Sequence, residues 1–264
     1  MQKIFTLAIM ILLFSTGCTS AFNQTKSAAQ SQRVAEPETL RKKKHLPRVC
    51  FQPNAIAIET RLKTLRIKAG APLYIRIFKR EKILELWAKK GKRYHMLKSY
   101  PICRYSGYLG PKLRSGDRQA PEGIYALTPA SLNPNSHYHL ALNINYPNRY
   151  DRNHHRDGDL IMIHGKCSSS GCFAMGNSQI EEIYHMVEAA LKQGQKFIYV
   201  AIYPFRMSEK NLDAFRRSHW YPFWKNLQSG YLHFEQTHIP PFAGVKGARY
   251  IFQKRGRDLN LTQN

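Results

Sequence analysis

Leu160-Ile161-Met162-Ile163-His164-Gly165-Lys166-Cys167-Ser168-Ser169-Ser170-Gly171-Cys172-Phe173-Ala174-Met175 is the stretch from which the rest of the chain can be read. Leu160 to Ile163 is a continuous apolar run with the composition of a buried strand, and it delivers His164 and Gly165 at its end. A loop of small residues follows, and Cys172 stands directly after Gly171. Beyond it, Ser178-Gln179-Ile180-Glu181 has the form of a capping box. Ile180, Ile183, Tyr184, Val187 and Leu191 then recur at helical spacing, and Gly194 closes the helix.

These residue types suit acyl chemistry. A thiol attacks a carbonyl as thiolate, and a histidine within reach can take its proton. Eight positions separate His164 from Cys172, and the small residues between them let the chain fold back. Gly171 permits a turn that aims the N–H groups of Gly171 and Cys172 inward, as donors to the oxyanion of a tetrahedral intermediate. Two other readings of the same residues stay open. Cys167, Cys172, His164 and a histidine from His154 or His155 could bind zinc, although the cysteines stand wider apart than usual. A Cys167–Cys172 disulfide would abolish nucleophilic activity.

Outward from this stretch, the chain is strand-rich. Ala55 to Leu65 reads as a short amphipathic helix. Leu73, Ile75 and Ile77 alternate with Tyr74, Arg76 and Phe78, and Leu84, Leu86 and Ala88 alternate with Glu85 and Trp87. A turn at Gly91-Lys92 leads to a return strand over Tyr94 to Tyr100, so antiparallel pairing is expected. Tyr105 to Arg118 is a Gly/Pro loop, Pro121 to Tyr125 turns into another strand, and Tyr138 to Ile144 is a further strand. Tyr146 to Gly158 reads as a long polar loop. Phe197 to Phe205 is a buried strand, and Asn211 to Leu227 a helix broken at Pro222, with Trp220, Tyr221, Phe223 and Trp224 as core or cleft wall. The end of the chain, from Pro240-Pro241, reads as a loosely packed basic tail.

The N-terminus reads as an export signal. Lys3 gives the positive start, and Ile4 to Phe14 is apolar except for Thr6, too short for a membrane span. Gly17-Cys18 after such a run has the form of a lipidation site, with Ser15 where Leu is usual and cleavage after Ala21 as the alternative. Thr19 after the cysteine points to the outer membrane. The expected organisation is a signal over 1–18, a flexible basic linker over 19–46, a catalytic domain over 47–240 and the basic tail over 241–264. Of five cysteines, Cys50, Cys103 and Cys167 remain once Cys18 and a free Cys172 are set aside, so at most one disulfide forms among them, its pairing open. Lys and Arg total 41 against 17 Asp and Glu, a formal net charge of +24 over 264 residues, which favours polyanionic surroundings: nucleic acid, an anionic envelope membrane, lipopolysaccharide or acidic wall polymers. Zinc-finger spacing, a phosphate-binding Gly-rich loop and an RNP-like strand are all missing from the sequence, so nucleic acid is not expected as a partner.

His164-Gly165, Cys167, Ser169 and Gly171-Cys172-Phe173-Ala174-Met175 together resemble the signature of the YkuD-type L,D-transpeptidases, in the short-spaced, YafK-like branch. Leu109-Gly110-Pro111-Lys112, Ala120-Pro121-Glu122-Gly123-Ile124-Tyr125 and Tyr146-Pro147-Asn148-Arg149-Tyr150-Asp151 are similar to further parts of that family. Ser170 stands where the longer-spaced branch has a histidine, and Ala120 where Thr is more usual. The resemblance implies a mixed, mainly β fold, a β-sandwich or barrel-like catalytic domain with a few flanking helices. It implies Cys172 as acylated nucleophile, His164 as base, the Gly165 carbonyl as the group that orients the imidazole, and no cofactor or metal. Peptidoglycan stem peptides are the implied substrate, attacked at meso-diaminopimelate, in the periplasm or cell envelope. Crosslinking, protein–wall attachment, and hydrolytic release of a wall-anchored lipoprotein are all outcomes of that chemistry. Arg149, Tyr150, Asp151 and Arg152, together with Ser169, are candidate substrate contacts, Arg being suited to carboxylates. A non-enzymatic basic wall-binding lipoprotein is the reading of another class.

Overall fold

Strand β1 (Leu73–Phe78) sets the layering, because alternation sends Leu73, Ile75 and Ile77 to one side and Tyr74, Arg76 and Phe78 to the other. Both sides are buried. In the computed structural model, which describes residues 56–253, the three aliphatic side chains enter one core and Tyr74 and Phe78 enter a second, aromatic one. Around β1 lie β2 (Ile83–Lys90), β3 (Arg93–Pro101), β4 (Gly123–Leu127) and β9 (Ile198–Tyr203), in the order β3-β2-β1-β9-β4. Only the β1–β9 pair in this sheet is parallel. A second sheet has the order β5-β6-β7-β8, with β5 (Leu132–Ser136), β6 (His139–Asn143), β7 (Met162–His164) and β8 (Phe173–Ala174). Neither sheet closes, so the architecture is mainly β with a few helices and open edges rather than a barrel.

The helices cover the two faces of the central sheet. On the aliphatic side, α1 (Ile58–Leu65) contributes Ile58 and Leu62. The helix α3 (Asn177–Lys192) contributes Ile180, Ile183, Val187 and Leu191, the positions its spacing marked. On the aromatic side, α4 (Glu209–Asp213) and α5 (Tyr221–Thr237) supply Leu212, Phe223, Trp224, Leu227, Tyr231 and Phe234. No helix among the described residues is long and apolar enough to cross a membrane. The export signal, Cys18, the linker and Cys50 lie outside the described residues.

Four expectations are corrected. Pro222 does not break a helix but opens α5 in its first turn, where its missing N–H costs nothing. Residues 242–253 are not a loose tail: β10 (Phe242–Lys246) and β11 (Arg249–Gln253) form a hairpin. Its Tyr250 stacks on Tyr150 at 4.3 Å and exchanges main-chain hydrogen bonds with the Asn226 amide of α5. The polar stretch after Tyr146 holds a short helix, α2 (Arg149–Asn153), because Asn148 and Asp151 cap it reciprocally. Helix α3 starts at Asn177 with Gly176 as its cap, so Ser178 and Glu181 form no capping box there.

One buried ion pair fastens the loop before β4 to the central sheet. Lys79 and Glu122 meet at 3.0 Å with both side chains fully buried. Lys79 Nζ also donates to the Gly110 and Ala120 carbonyls, while Glu122 accepts from Gly110 N–H and Trp224 Nε1–H. Such a pair is tolerable because all three ammonium protons and both carboxylate oxygens have partners, and removing one member leaves an uncompensated charge. Lys79→Met is therefore expected to cost about 3–5 kcal/mol in urea unfolding. A loss below about 1 kcal/mol, the range of an exposed pair, would contradict this account.

Candidate active site

The pairing of β7 with β8 builds the site. The two strands run parallel, with Ile163 opposite Phe173 and His164 opposite Ala174. Ile163 and Phe173 are fully buried in the aliphatic core, so alternation turns Met162 and His164 to the opposite face. Extending the register by one residue sets Cys172 opposite Met162, and Met162 N–H donates to Cys172 Sγ at 3.4 Å. Thiol and imidazole thus share a face, their Cα atoms about 8 Å apart from strand spacing and rise. The thiol hydrogen is directed to the Leu160 carbonyl at 3.5 Å. Leu160 itself is not in the strand. It is 59% exposed with φ +51°, and β7 begins only at Met162.

His164 is almost wholly buried, and its Nδ1 lies 2.6 Å from the Gly165 carbonyl. A carbonyl only accepts, so Nδ1 carries the hydrogen and Nε2 keeps its lone pair. The Tyr138 ring lies against the imidazole with centroids 4.4 Å apart and planes tilted by 37°. Burial holds the imidazole pKa below its ordinary value against the opposing pull of the Gly165 carbonyl. Burial likewise raises the Cys172 thiol, with Met162 N–H and the Lys112 ammonium acting the other way. Both shifts favour the uncharged form of their group.

The loop from Gly165 to Cys172 is held at several points. A disulfide joins Cys103 to Cys167, with Cα atoms 5.5 Å apart, and Cys172 is a free cysteine. That choice removes both alternatives open in the sequence: Cys167 is neither bonded to Cys172 nor available to a metal. Among the described residues no cluster of His, Cys, Asp and Glu is placed to hold a metal ion. Arg104 and Ala174 exchange main-chain hydrogen bonds beside the disulfide. Asn177 Oδ1 accepts from Lys166 N–H at 2.8 Å, which is why this residue does not cap its own helix. Gly165 has no room for a side chain, since a Cβ there would lie 2.5 Å from the Tyr138 carbonyl.

Several expected contacts are placed elsewhere. Gly171 N–H donates to Ser106 Oγ at 2.6 Å and is not free to meet an oxyanion. Ser169 Oγ donates to the Cys172 carbonyl at 2.6 Å, bracing the nucleophile's backbone. Tyr150 is buried between Tyr250 and Phe223, and Asp151 is fully buried, bonded to Tyr125, Arg156 and its own helix cap. These two support the wall of the fold rather than its surface, whereas Arg149 is exposed and Arg152 donates to the Pro147 carbonyl. Reading the sequence did not single out Tyr138 or Ser106, because each meets the site across more than twenty positions of chain. Lys112 was noted only as part of an upstream turn. It is held by Asp117 at 2.6 Å and contributes its charge to Cys172 from there.

With the fold and the geometry around Cys172 and His164 in place, residues 72–232 match the YkuD family, the L,D-transpeptidase catalytic domain. The chain belongs to that family, whose members act on peptidoglycan stem peptides. Among its relatives is the Escherichia coli K12 protein named "Putative L,D-transpeptidase YafK". It is 48% identical over 185 residues, 70% of this chain and 75% of that protein. The protein of the same name from strain O157:H7 matches to the same extent. Among solved structures, the helical cell shape determining protein Pgp2 of Campylobacter jejuni aligns with a TM-score of 0.41 at 18% identity, over 72% of this chain and 81% of that one. Its K307A mutant gives 0.42 at 22%, over 67% and 63%.

Two measurements follow from the geometry. A raised thiol pKa means a smaller thiolate fraction at neutral pH. Alkylation of Cys172 by iodoacetamide should therefore be slow at pH 7 and accelerate through an inflection above the ordinary thiol value of about 8.5. A rate already level by pH 8 would refute the raised thiol pKa. The disulfide closes a loop with a sequence separation of 64. Replacing both partners, Cys103→Ser with Cys167→Ser, should lower stability by about 4 kcal/mol on the chain-entropy scale. Unchanged urea midpoints in the double variant would show that the bond does not brace the fold.

Proposed function

We propose that Cys172 is the acylated nucleophile and His164 the base of an L,D-transpeptidase acting on peptidoglycan tetrapeptide stems. The observation that carries this reading is the free Cys172 on the same face as an imidazole whose Nδ1 is tied to Gly165, leaving Nε2 able to accept a proton. As Sγ attacks the meso-diaminopimelate carbonyl at its bond to D-Ala, the thiol proton passes to Nε2. The C–S bond forms, the C–N bond breaks, and His164 returns the proton to the departing amine. The developing oxyanion is assigned to Cys172 N–H, the member of the expected donor pair that Ser106 does not engage. An incoming amine then displaces the thiolate and gives a crosslink or a protein–wall link, its proton returning to sulfur through His164. If water is the acceptor, the same enzyme is a hydrolase able to release a wall-anchored lipoprotein.

Export belongs to the same proposal: 1–18 as signal, Cys18 as lipidation site, 19–46 as linker, and a periplasmic domain held near an anionic envelope by its positive charge. The exposed Arg149 is the remaining candidate for a substrate carboxylate. Incubation with a tetrapeptide muropeptide, followed by intact mass, should show an acyl adduct that Cys172→Ala abolishes. His164→Gln should lower kcat/KM by about 10²–10⁴. A wild-type protein that stays unmodified and releases no D-Ala would favour a wall-binding role without catalysis.

A further inference from the structure

We propose that Lys166 and Tyr138 form a subsite beside His164 that binds the free carboxylate of the departing residue. The inference rests on the reading above and follows from where the leaving group must go. The imidazole that takes the thiol proton has to return it to the departing amine, so that nitrogen sits within hydrogen-bond reach of His164 Nε2. Whatever is attached to it extends over the groups that flank the imidazole. Those groups are the Tyr138 ring, 4.4 Å from the imidazole and tilted by 37°, and the Lys166 ammonium, 6.0 Å from the Tyr138 ring centroid.

Both groups are exposed, and both are held in place. Tyr138 is 42% exposed, among the few large apolar side chains left open on this fold. The hairpin tip that carries it is fixed by Tyr138 N–H to Ser136 Oγ, by Gly165 N–H to the Leu140 carbonyl, and by the His139–Glu181 pair. Lys166 has φ +53°, donates its N–H to Asn177 Oδ1 and accepts from Gly176 N–H, and it precedes the disulfide at Cys167. Its main chain is therefore set before any ligand arrives, which lowers the cost of ordering the side chain on binding. The other cation near the thiol, Lys112, is already committed to Asp117. Among the described residues no carboxylate forms an ion pair with Lys166. A small departing amino acid would lay its aliphatic part on the Tyr138 face and offer its carboxylate to the ammonium.

Two synthetic stem peptides, identical up to the scissile bond, test this when the departing residue ends in a carboxylate in one and a carboxamide in the other. The wild type should favour the acid by about 10–100-fold in kcat/KM, the range of one charge-assisted contact. Lys166→Gln should bring that ratio close to unity through KM for the acid, and Lys166→Arg should keep most of it. Lys192→Gln removes the same charge roughly 22 Å away along α3 and should leave the ratio as it was. Equal treatment of acid and amide by the wild type, or an equal loss on both substrates in Lys166→Gln, would overturn the subsite. An acyl adduct on Cys172 with an unchanged ratio would sink the subsite alone, whereas no adduct with either peptide would sink the parent reading with it.

Discussion

The site depends on a parallel strand pair joined by an unusually short return. Parallel neighbours ordinarily need a crossover of about a dozen residues or more. Here β7 ends at His164 and β8 begins at Phe173, so the chain turns back within eight residues, Gly165 to Cys172. A return that tight has little room for side chains, which accounts for Gly165 under the Tyr138 carbonyl and for Gly171 with φ +117°. It must also be clamped, and the Cys103–Cys167 bond, the Arg104–Ala174 bridge and the Asn177 side chain do this at three separate points. The reward is geometric: histidine and cysteine, eight positions apart in sequence, come to one face at neighbouring levels of the same sheet.

A continuous path leads from the deepest part of the fold to this return. Lys79, paired with Glu122 in the core, holds the Ala120 carbonyl. Ala120 N–H donates to the Ser106 carbonyl, and Ser106 Oγ takes the N–H of Gly171. Cys172 is the next residue. A rigid central sheet with a core on each face is what makes such a path informative, because close-packed interiors pass on small displacements instead of absorbing them. The same arrangement explains why polar groups near the site are engaged with the main chain: Gln119 spans the Tyr108 and Gly110 carbonyls, and Ser169 holds the Cys172 carbonyl.

Much of this was legible in the sequence, and the parts that were not share a physical cause. Periodicity located β1, β2, β3 and α3, because their side chains face cores at regular intervals. The His-Gly and Gly-Cys punctuation located the return, because Gly171 takes a positive φ and Gly165 lies too close to the Tyr138 carbonyl for a side chain. Partners across long separations were not legible. Cys103 rather than Cys50 faces Cys167, and Ser106 rather than solvent meets Gly171. Polarity misled at Asp151, which looks like a surface carboxylate and is buried with Arg156 and Tyr125 on it. Pro240-Pro241 and the Lys/Arg-rich end misled after Pro241, where Phe242 to Val245 and Tyr250 to Phe252 supply the apolar residues of two short strands.

Burial acts on the two reactive groups in one sense, raising the thiol and lowering the imidazole, so it opposes the thiolate–imidazolium pair twice over. Cysteine enzymes that rest as an ion pair surround the sulfur with strong cations or an N-terminal helix end. Here the sulfur has one main-chain N–H, and the one charge that acts on it, Lys112, is itself paired with Asp117. In the proposed mechanism, charge separation waits for the substrate, whose carbonyl becomes the oxyanion that takes over the negative charge as the proton reaches Nε2.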